Sequence, residues 1–194
     1  MNGNPPIPQR RTLRLKGYDY SQAGAYFVTI CVHGRKCLFG DVIMSEMKVN
    51  ELGRIVQAAW DDLPVHYPHV AMGAFVVMPN HVHGVVVLRG DDERVGAGFV
   101  RAGLKPAPTA TARTSAGVRH GLPEVVRGFK TFSARRINEF RKTAGVPVWQ
   151  RNYYEHVIRD EADYNRIAEY IGNNPRQWAE DSLHPAFTQI ERSS

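Results

Sequence analysis

Residues 76–88 read Val-Val-Met-Pro-Asn-His-Val-His-Gly-Val-Val-Val-Leu. Nearly every residue after the histidines is apolar, which indicates a strand covered on both faces. Side chains alternate along a strand, so His81 and His83 point to the same face. Two imidazoles placed in this way can hold one metal ion and leave its other positions open to a substrate. A chance pair in a chain with eight histidines is the alternative that spacing alone leaves open.

The elements around this stretch alternate between strands and helices. Residues 26–32 are rich in β-branched and aromatic side chains and predict a central strand. Residues 70–78 predict a second strand, which reaches His81 through the turn at Pro79-Asn80, so these two strands should pair antiparallel. Helical spacing of apolar residues predicts one helix over 49–63, capped by Asn50, and another over 124–140. Residues 147–159 predict a last strand or extended segment.

The final predicted helix carries a tyrosine on its polar side. Asp160 is its expected N-cap, with Asp163 three residues on, and Pro175 ends it. Tyr170 points about 110° away from the apolar stripe of this helix at 100° per residue, so packing does not account for it. Asn174 follows one turn later on the same face. The core stripe consists of Tyr164, Ile167, Ala168 and Ile171.

Composition favours a basic, single-domain protein with an anionic partner. The 194 residues carry 25 Lys and Arg against 19 Asp and Glu, a net charge of +6, and the pI is near 9.5. Nucleic acid is the first partner to consider for such a balance. Cys31 and Cys37 match no metal-binding or redox spacing, and no run is apolar enough to span a membrane. We therefore expect a soluble intracellular protein without a membrane partner.

The positive charge is unevenly distributed along the chain. Residues 101–151 contain eleven Lys or Arg and only two acidic residues, which favours a phosphate-binding surface over a merely solvated face. Residues 1–16 predict a flexible basic arm, residues 90–120 a low-complexity insertion within a domain spanning 17–178, and residues 179–194 a C-terminal tail. The candidate DNA-contacting residues are Arg10, Arg11, Arg14, Arg127, Lys130, Arg135, Arg136, Arg151 and Arg159.

Three motifs together resemble the REP-associated tyrosine transposases, a family of single-tyrosine HUH nucleases. They are the string at 76–84, the string Trp-Gln-Arg-Asn-Tyr-Tyr-Glu-His-Val-Ile-Arg at 149–159, and Tyr-Ile-Gly-Asn-Asn-Pro at 170–175. The likeness extends from about residue 10 to 178 and is interrupted by the insertion. It implies an α+β fold with a ferredoxin-like (RRM-like) antiparallel sheet, two helices on one face, and the Tyr170 helix closing a metal site.

The resemblance also assigns roles to individual residues. His81 and His83 match the paired histidine ligands, Tyr170 matches the nucleophilic tyrosine, and Asn174 matches a polar third ligand one turn beyond it. Tyr153 and Tyr154 are rival nucleophiles, but they lie outside a helix and lack a ligand residue one turn away. His156 and Arg159 could orient the reacting groups or could equally be structural partners of the last strand.

The function implied is metal-dependent cleavage and rejoining of single-stranded DNA through a 5′-phosphotyrosine, near a palindromic hairpin repeat. The expected metal is Mg²⁺ or Mn²⁺. The matched ligands are neutral, so the ion would keep its full charge and leave positions for water and a phosphate oxygen. The expected location is the bacterial cytoplasm at the nucleoid, as a monomer or a homodimer. Two rival interpretations are a repeat-binding regulator without catalysis and a zinc-stabilised RNA-binding domain.

Overall fold

A four-stranded antiparallel sheet forms the centre of the computed structural model, which describes residues 18–90 and 120–188. Its strands are β1 (Gly24–Cys31), β4 (Val70–Met78), β5 (His81–Leu88) and β6 (Tyr154–Ile158), in the order β4-β5-β1-β6. A separate hairpin consists of β2 (Gly40–Ile43) and β3 (Glu46–Val49). The helices are α1 (Glu51–Asp61), α2 (Leu63–His66), α3 (Leu122–Arg141), α4 (Glu161–Asn173) and α5 (Pro185–Thr188), with 3₁₀ turns at His33–Arg35 and Asn174–Glu180.

The sheet has the ferredoxin-like order that the resemblance implies. If β1, β4, β5 and β6 are numbered one to four along the chain, their spatial order is 2-3-1-4 and every neighbouring pair is antiparallel. A helix follows the first of these strands and another follows the third. The predicted α+β fold is confirmed, including the antiparallel pairing of the strands on either side of Pro79-Asn80.

The two faces of the sheet are buried by different helices. Val82, Val86 and Leu88 of β5 belong to a large core that includes the apolar side chains of α1 and α3. Val85 and Val87 belong to a smaller core with Tyr164, Ile167 and Ile171 of α4. Because side chains alternate, His81 and His83 share the α4 face with Val85 and Val87. All eight residues of β5 are buried, as the continuous apolar run predicts.

The absence of a side chain at Gly84 lets a tryptophan lie against the histidine strand. A Cβ at this position would come within 2.4 Å of Trp60 Cζ2 and 2.9 Å of Phe75 Cδ2. The Trp60 and Phe75 rings stack with their centroids 4.3 Å apart, and Phe129 of α3 meets Trp60 edge-on. Gly84 therefore allows α1 to approach the sheet closely one residue after His83.

The helix boundaries follow the capping residues that the sequence predicts. The Asn50 side chain accepts a hydrogen bond from the Gly53 N–H, and the Asp160 side chain accepts one from the Asp163 N–H. Helix α4 ends at Asn173, and the chain then tightens into the 3₁₀ turn that contains Pro175. No helix in residues 18–90 or 120–188 is both long and apolar enough to cross a membrane.

Two regions lie outside the sequence predictions or outside the described residues. The β2–β3 hairpin was not predicted, because its strands are only four residues long and its turn, Met44-Ser45, lacks the usual Asn-Gly signal. Both turn residues have positive φ, 51° and 62°. The basic arm with Arg10, Arg11 and Arg14, and all of the 90–120 insertion except its two end residues, fall outside the described residues.

Candidate metal centre and tyrosine site

The two histidines of β5 direct their Nε2 atoms at one point. These atoms are 3.0 Å apart, and the two rings meet at 70°. The opposite nitrogens are held by the protein: His81 Nδ1 lies 2.8 Å from Asn80 Oδ1, and His83 Nδ1 lies 2.8 Å from Thr29 Oγ1. An amide oxygen only accepts, so His81 donates from Nδ1, and its neutral ring has a lone pair on Nε2.

Burial keeps both rings neutral. His81 is 0% exposed and His83 is 3% exposed. Burial lowers the pKa of His83 to about 3. Burial also lowers the pKa of His81 well below its usual value, and the neighbouring His83 adds to this effect. Both imidazoles are therefore in the form that binds metals at neutral pH.

Two buried nitrogens in this position fit a cation. If both carry a lone pair, they repel each other at 3.0 Å unless a positive charge lies between them. Two ligands at right angles, each about 2.1 Å from an octahedral ion, would be about 3.0 Å apart. The contacts to Asn80 and Thr29 fix the ring directions from behind, as outer partners do in protein metal sites. His81 and His83 thus fit the metal that the resemblance implies.

Helix α4 brings Tyr170 to the same point. Its hydroxyl lies 3.4 Å from His83 Nε2, and its ring contacts the edge of Phe27, with centroids 6.1 Å apart. The side chain is 41% exposed, so an external substrate can reach it. Burial of the hydroxyl raises the pKa of Tyr170 to about 12; the charge of Asp181 adds to this rise and a hydrogen bond from Asn174 opposes it. Tyr170 is accordingly protonated at neutral pH.

Asn174 lies at the junction of α4 and the 3₁₀ turn and is 1% exposed. Its side chain is close enough to His81, Tyr170 and Asp181 to influence the pKa of each. Within the described part of the chain, no group donates a hydrogen bond to its Oδ1. A buried amide oxygen without a donor is the kind of atom that a bound cation satisfies. The structure thus brings together the four residues singled out from the sequence.

A fifth polar residue at this point, Asp181, was missed by the sequence analysis, which placed it in the C-terminal tail. Its side chain is 9% exposed, and its Oδ2 lies 3.8 Å from His81 Nε2. The ligand atoms of His81, His83 and Asp181 all lie within 4.8 Å of one another. Burial raises the pKa of this carboxyl, whereas hydrogen bonds from the Leu183 N–H and the Asn174 side chain lower it.

Comparison with known proteins finds relatives of this chain. No protein-family model matches the chain. An uncharacterized protein of Haemophilus influenzae is 41% identical over 184 residues, which cover 93% of this chain and 96% of that protein. A second protein of the same organism, named "Putative REP-associated tyrosine transposase", is 26% identical over 176 residues, covering 86% and 83% of the two chains. The chain is thus similar in sequence to a protein named as a REP-associated tyrosine transposase.

A solved structure of this family has the same fold. It is a REP-associated tyrosine transposase bound to a REP hairpin; it aligns with a TM-score of 0.54 and 18% identity over 88% of this chain and 74% of that one. The order of motifs that suggested the family from the sequence therefore agrees with an independent comparison of folds.

The two rival tyrosines are placed differently from Tyr170. Tyr154 lies on the α4 face of the sheet, opposite Thr29 in the β1–β6 register, and its ring is 6.2 Å from that of Phe27. The Tyr153 ring lies 5.3 Å from the Lys130 ammonium. Tyr170 is the tyrosine whose hydroxyl the structure places beside a histidine Nε2.

His156 lies away from the histidine pair. Its Nε2 is 2.9 Å from Asp163 Oδ2, in the first turn of α4. Asp163 also accepts a hydrogen bond from the Arg159 N–H. Seven residues of helix separate Asp163 from Tyr170, about 10 Å at 1.5 Å per residue. The His156 side chain and the Arg159 backbone thus both contact Asp163 at the start of α4.

The basic candidates differ in their contacts and in their exposure to solvent. Lys130 donates to the backbone carbonyls of Gln150, Arg151 and Asn152 at 3.0–3.2 Å, and burial lowers its pKa to about 8. We therefore leave Lys130 out of the proposed DNA surface. Arg127 pairs with Glu124, and Arg136 pairs with Asp62 at 2.8 Å. The side chains exposed to solvent are Arg127, Arg135, Arg136, Arg151 and Arg159.

Proposed function

We propose that this protein is a metal-dependent endonuclease and strand transferase for single-stranded DNA, with Tyr170 as its nucleophile. The observation that carries the proposal is the position of the Tyr170 hydroxyl, 3.4 Å from the Nε2 of a buried, neutral histidine pair. The similarity to a protein named as a REP-associated tyrosine transposase supports the same reaction class. A tyrosine that only packed against the sheet would not need to direct its hydroxyl at this pair.

The residues of the proposed site have different roles. His81, His83 and Asn174 would hold Mg²⁺ or Mn²⁺, and Thr29 and Asn80 fix the histidine rings. When bound, the ion supplies Lewis-acid polarisation of the scissile phosphate. Phe27 stacks on His83, with centroids 5.4 Å apart, and meets the Tyr170 ring edge-on. It therefore contacts both rings and fixes their positions relative to each other.

The covalent step conserves atoms and charge. The Tyr170 oxygen would form a bond to phosphorus while the bond from phosphorus to the 3′-oxygen of the upstream strand breaks. The proton lost by the tyrosine hydroxyl is balanced by the proton that the leaving 3′-oxygen gains to become a hydroxyl, and the 5′-phosphate stays on the protein. Attack by another 3′-hydroxyl reverses the step and joins two strands. Because burial raises the pKa of Tyr170 to about 12, the reaction needs a group that takes up the Tyr170 proton.

The proposed partner is a hairpin repeat with a single-stranded flank. A relative with the same fold binds a REP hairpin, and the net charge of +6 suits a phosphate backbone. The exposed arginines 127, 135, 136, 151 and 159 are the candidate contacts among the described residues. An unpaired flank can bring a phosphate to Tyr170 without the cost of opening a duplex.

The test is a covalent-adduct assay on a labelled hairpin oligonucleotide with a single-stranded flank, in Mn²⁺, Mg²⁺ or EDTA. Wild type should give a protein–DNA band on a denaturing gel in the presence of metal. Tyr170→Phe and His81→Ala should give none. Tyr154→Phe is the matched control, because it removes a hydroxyl from another exposed tyrosine on the same sheet face, and it should retain the adduct.

Two results would contradict the proposal. Tight hairpin binding with neither adduct nor cut product in either metal would favour the regulator without catalysis. An adduct that persists in Tyr170→Phe and vanishes in Tyr154→Phe would assign the nucleophile to β6.

A further inference from the structure

The site contains acceptor atoms in addition to those of the histidine pair. His81 Nε2, Asp181 Oδ2 and Asn174 Oδ1 all accept rather than donate, and all three side chains are buried or nearly so. Asp181 belongs to the segment after α4, residues 174–188, which we call the C-terminal segment. A carboxylate and an imidazole lone pair 3.8 Å apart repel each other, and a cation between them would satisfy both.

The C-terminal segment is held against the histidine strand by several other contacts. Asn80 Nδ2 donates to the Leu183 carbonyl at 2.7 Å, so the residue that orients His81 also holds this segment. The Trp178 ring lies 5.9 Å from that of His81. The Asp181 carboxylate itself accepts hydrogen bonds from the Leu183 N–H, at 2.7 Å through Oδ1, and from the Asn174 side chain, and its Oδ2 lies 3.8 Å from His81 Nε2.

We propose that Asp181 is a further metal ligand, so that metal binding and docking of the C-terminal segment stabilise each other. The inference rests on the metal site of the proposed function. Two ligands of one ion, each about 2.1 Å from it, can be at most about 4.2 Å apart, and the 3.8 Å between Asp181 Oδ2 and His81 Nε2 is within that limit.

The carboxylate changes the character of the site. His81, His83 and Asn174 are neutral donors, so Asp181 supplies the only negative charge in the ligand set. A carboxylate oxygen favours hard ions such as Mg²⁺ and Mn²⁺. Linkage is reciprocal: if docking of the segment raises metal affinity, then metal binding favours the docked segment by the same factor.

The experiment measures metal affinity without DNA. Full-length protein is titrated with Mn²⁺, and free Mn²⁺ is followed by its paramagnetic resonance signal. Asp181→Asn keeps an oxygen for the Leu183 N–H while removing the charge. Glu180→Gln, the matched control, removes one charge from the exposed neighbouring residue. His81→Ala reports loss of the site, and thermal melting in EDTA checks that each variant folds.

We expect Asp181→Asn to bind Mn²⁺ at least tenfold more weakly than wild type, and Glu180→Gln to bind within twofold of it. Hydrogen exchange should show Mn²⁺-dependent protection of residues 174–188 in wild type and in Glu180→Gln, but not in Asp181→Asn.

Failure of the inference about Asp181 and failure of the proposed metal site give different results. If Asp181→Asn binds Mn²⁺ as tightly as wild type while His81→Ala does not bind, Asp181 is only an anchor for the Leu183 turn, and the inference is overturned while the proposed function stands. If wild type itself binds no Mn²⁺ at millimolar concentration, with or without a hairpin oligonucleotide, the metal site and this inference both fail.

Discussion

Acidification should destabilise the metal-free protein through its buried histidines. His83 binds a proton with a pKa of about 3 in the folded chain and near its ordinary 6.5 when unfolded. Between these values the unfolded chain binds more protons, so the free energy of unfolding falls as the pH falls. The stability is fully present above pH 6.5 and is lost progressively below it.

The magnitude follows from the two pKa values. At pH 5 the unfolded His83 is almost fully protonated and the folded one is not, so this residue alone lowers the free energy of unfolding by about 2 kcal/mol relative to pH 8. The pKa of His81 is shifted in the same direction, so its contribution adds. The folded histidines are buried, and solvent screening does not reduce the effect.

The assay is urea denaturation in EDTA at pH 5, 6, 7 and 8, followed by tryptophan fluorescence, with His83→Gln as the control that takes up no proton. The slope of stability against pH between 6 and 5 should be smaller in the variant by about 1.2 kcal/mol per pH unit. Equal slopes would refute the reasoning. If the variant does not fold, a titration of the wild-type histidine resonances decides instead: His83 should not titrate above pH 5.

Three substitutions test other parts of the account. Gly84→Ala should lower the free energy of unfolding by about 3 kcal/mol, because its Cβ would lie 2.4 Å from Trp60; a loss below about 1 kcal/mol would mean the Trp60 ring moves freely. Ser45→Gly should raise that free energy by about 0.5–1 kcal/mol by relieving the positive φ of the hairpin turn, and a decrease in urea denaturation would contradict this. Thr29→Val should weaken Mn²⁺ binding by about 10- to 100-fold, because His83 Nδ1 loses its hydrogen-bond partner, whereas Thr29→Ser should retain the binding. Equal Mn²⁺ affinities of the two variants would show that Thr29 does not support the metal site.

The histidine pair and Tyr170 could be found from the sequence because their positions follow from the periodicity of a single strand and a single helix. A strand period of two places His81 and His83 on one face, and a helical period places Tyr170 and Asn174 one turn apart. The continuous apolar run of β5 also indicated burial on both faces, and all eight of its residues are buried. Local spacing thus supplied the positions of these side chains, whereas the family resemblance supplied their expected roles.

The contacts of Asp181 and Lys130 could not be predicted from local spacing. Asp181 reaches His81 because the chain turns back after α4, and this turn depends on contacts such as that of Asn80 with Leu183, 103 residues apart. Lys130 was predicted on a basic helix face, but its ammonium donates to three carbonyls of the segment before β6. A pattern along one element does not reveal which distant backbone lies opposite it.

The most direct test of the account is to identify the residue that becomes attached to DNA. Wild-type protein is incubated with the hairpin oligonucleotide and Mn²⁺, the covalent product is digested with protease and nuclease, and the modified peptide is sequenced by mass spectrometry. The account predicts a nucleotide 5′-phosphate on Tyr170. A phosphate linkage on Tyr153 or Tyr154 instead would contradict it.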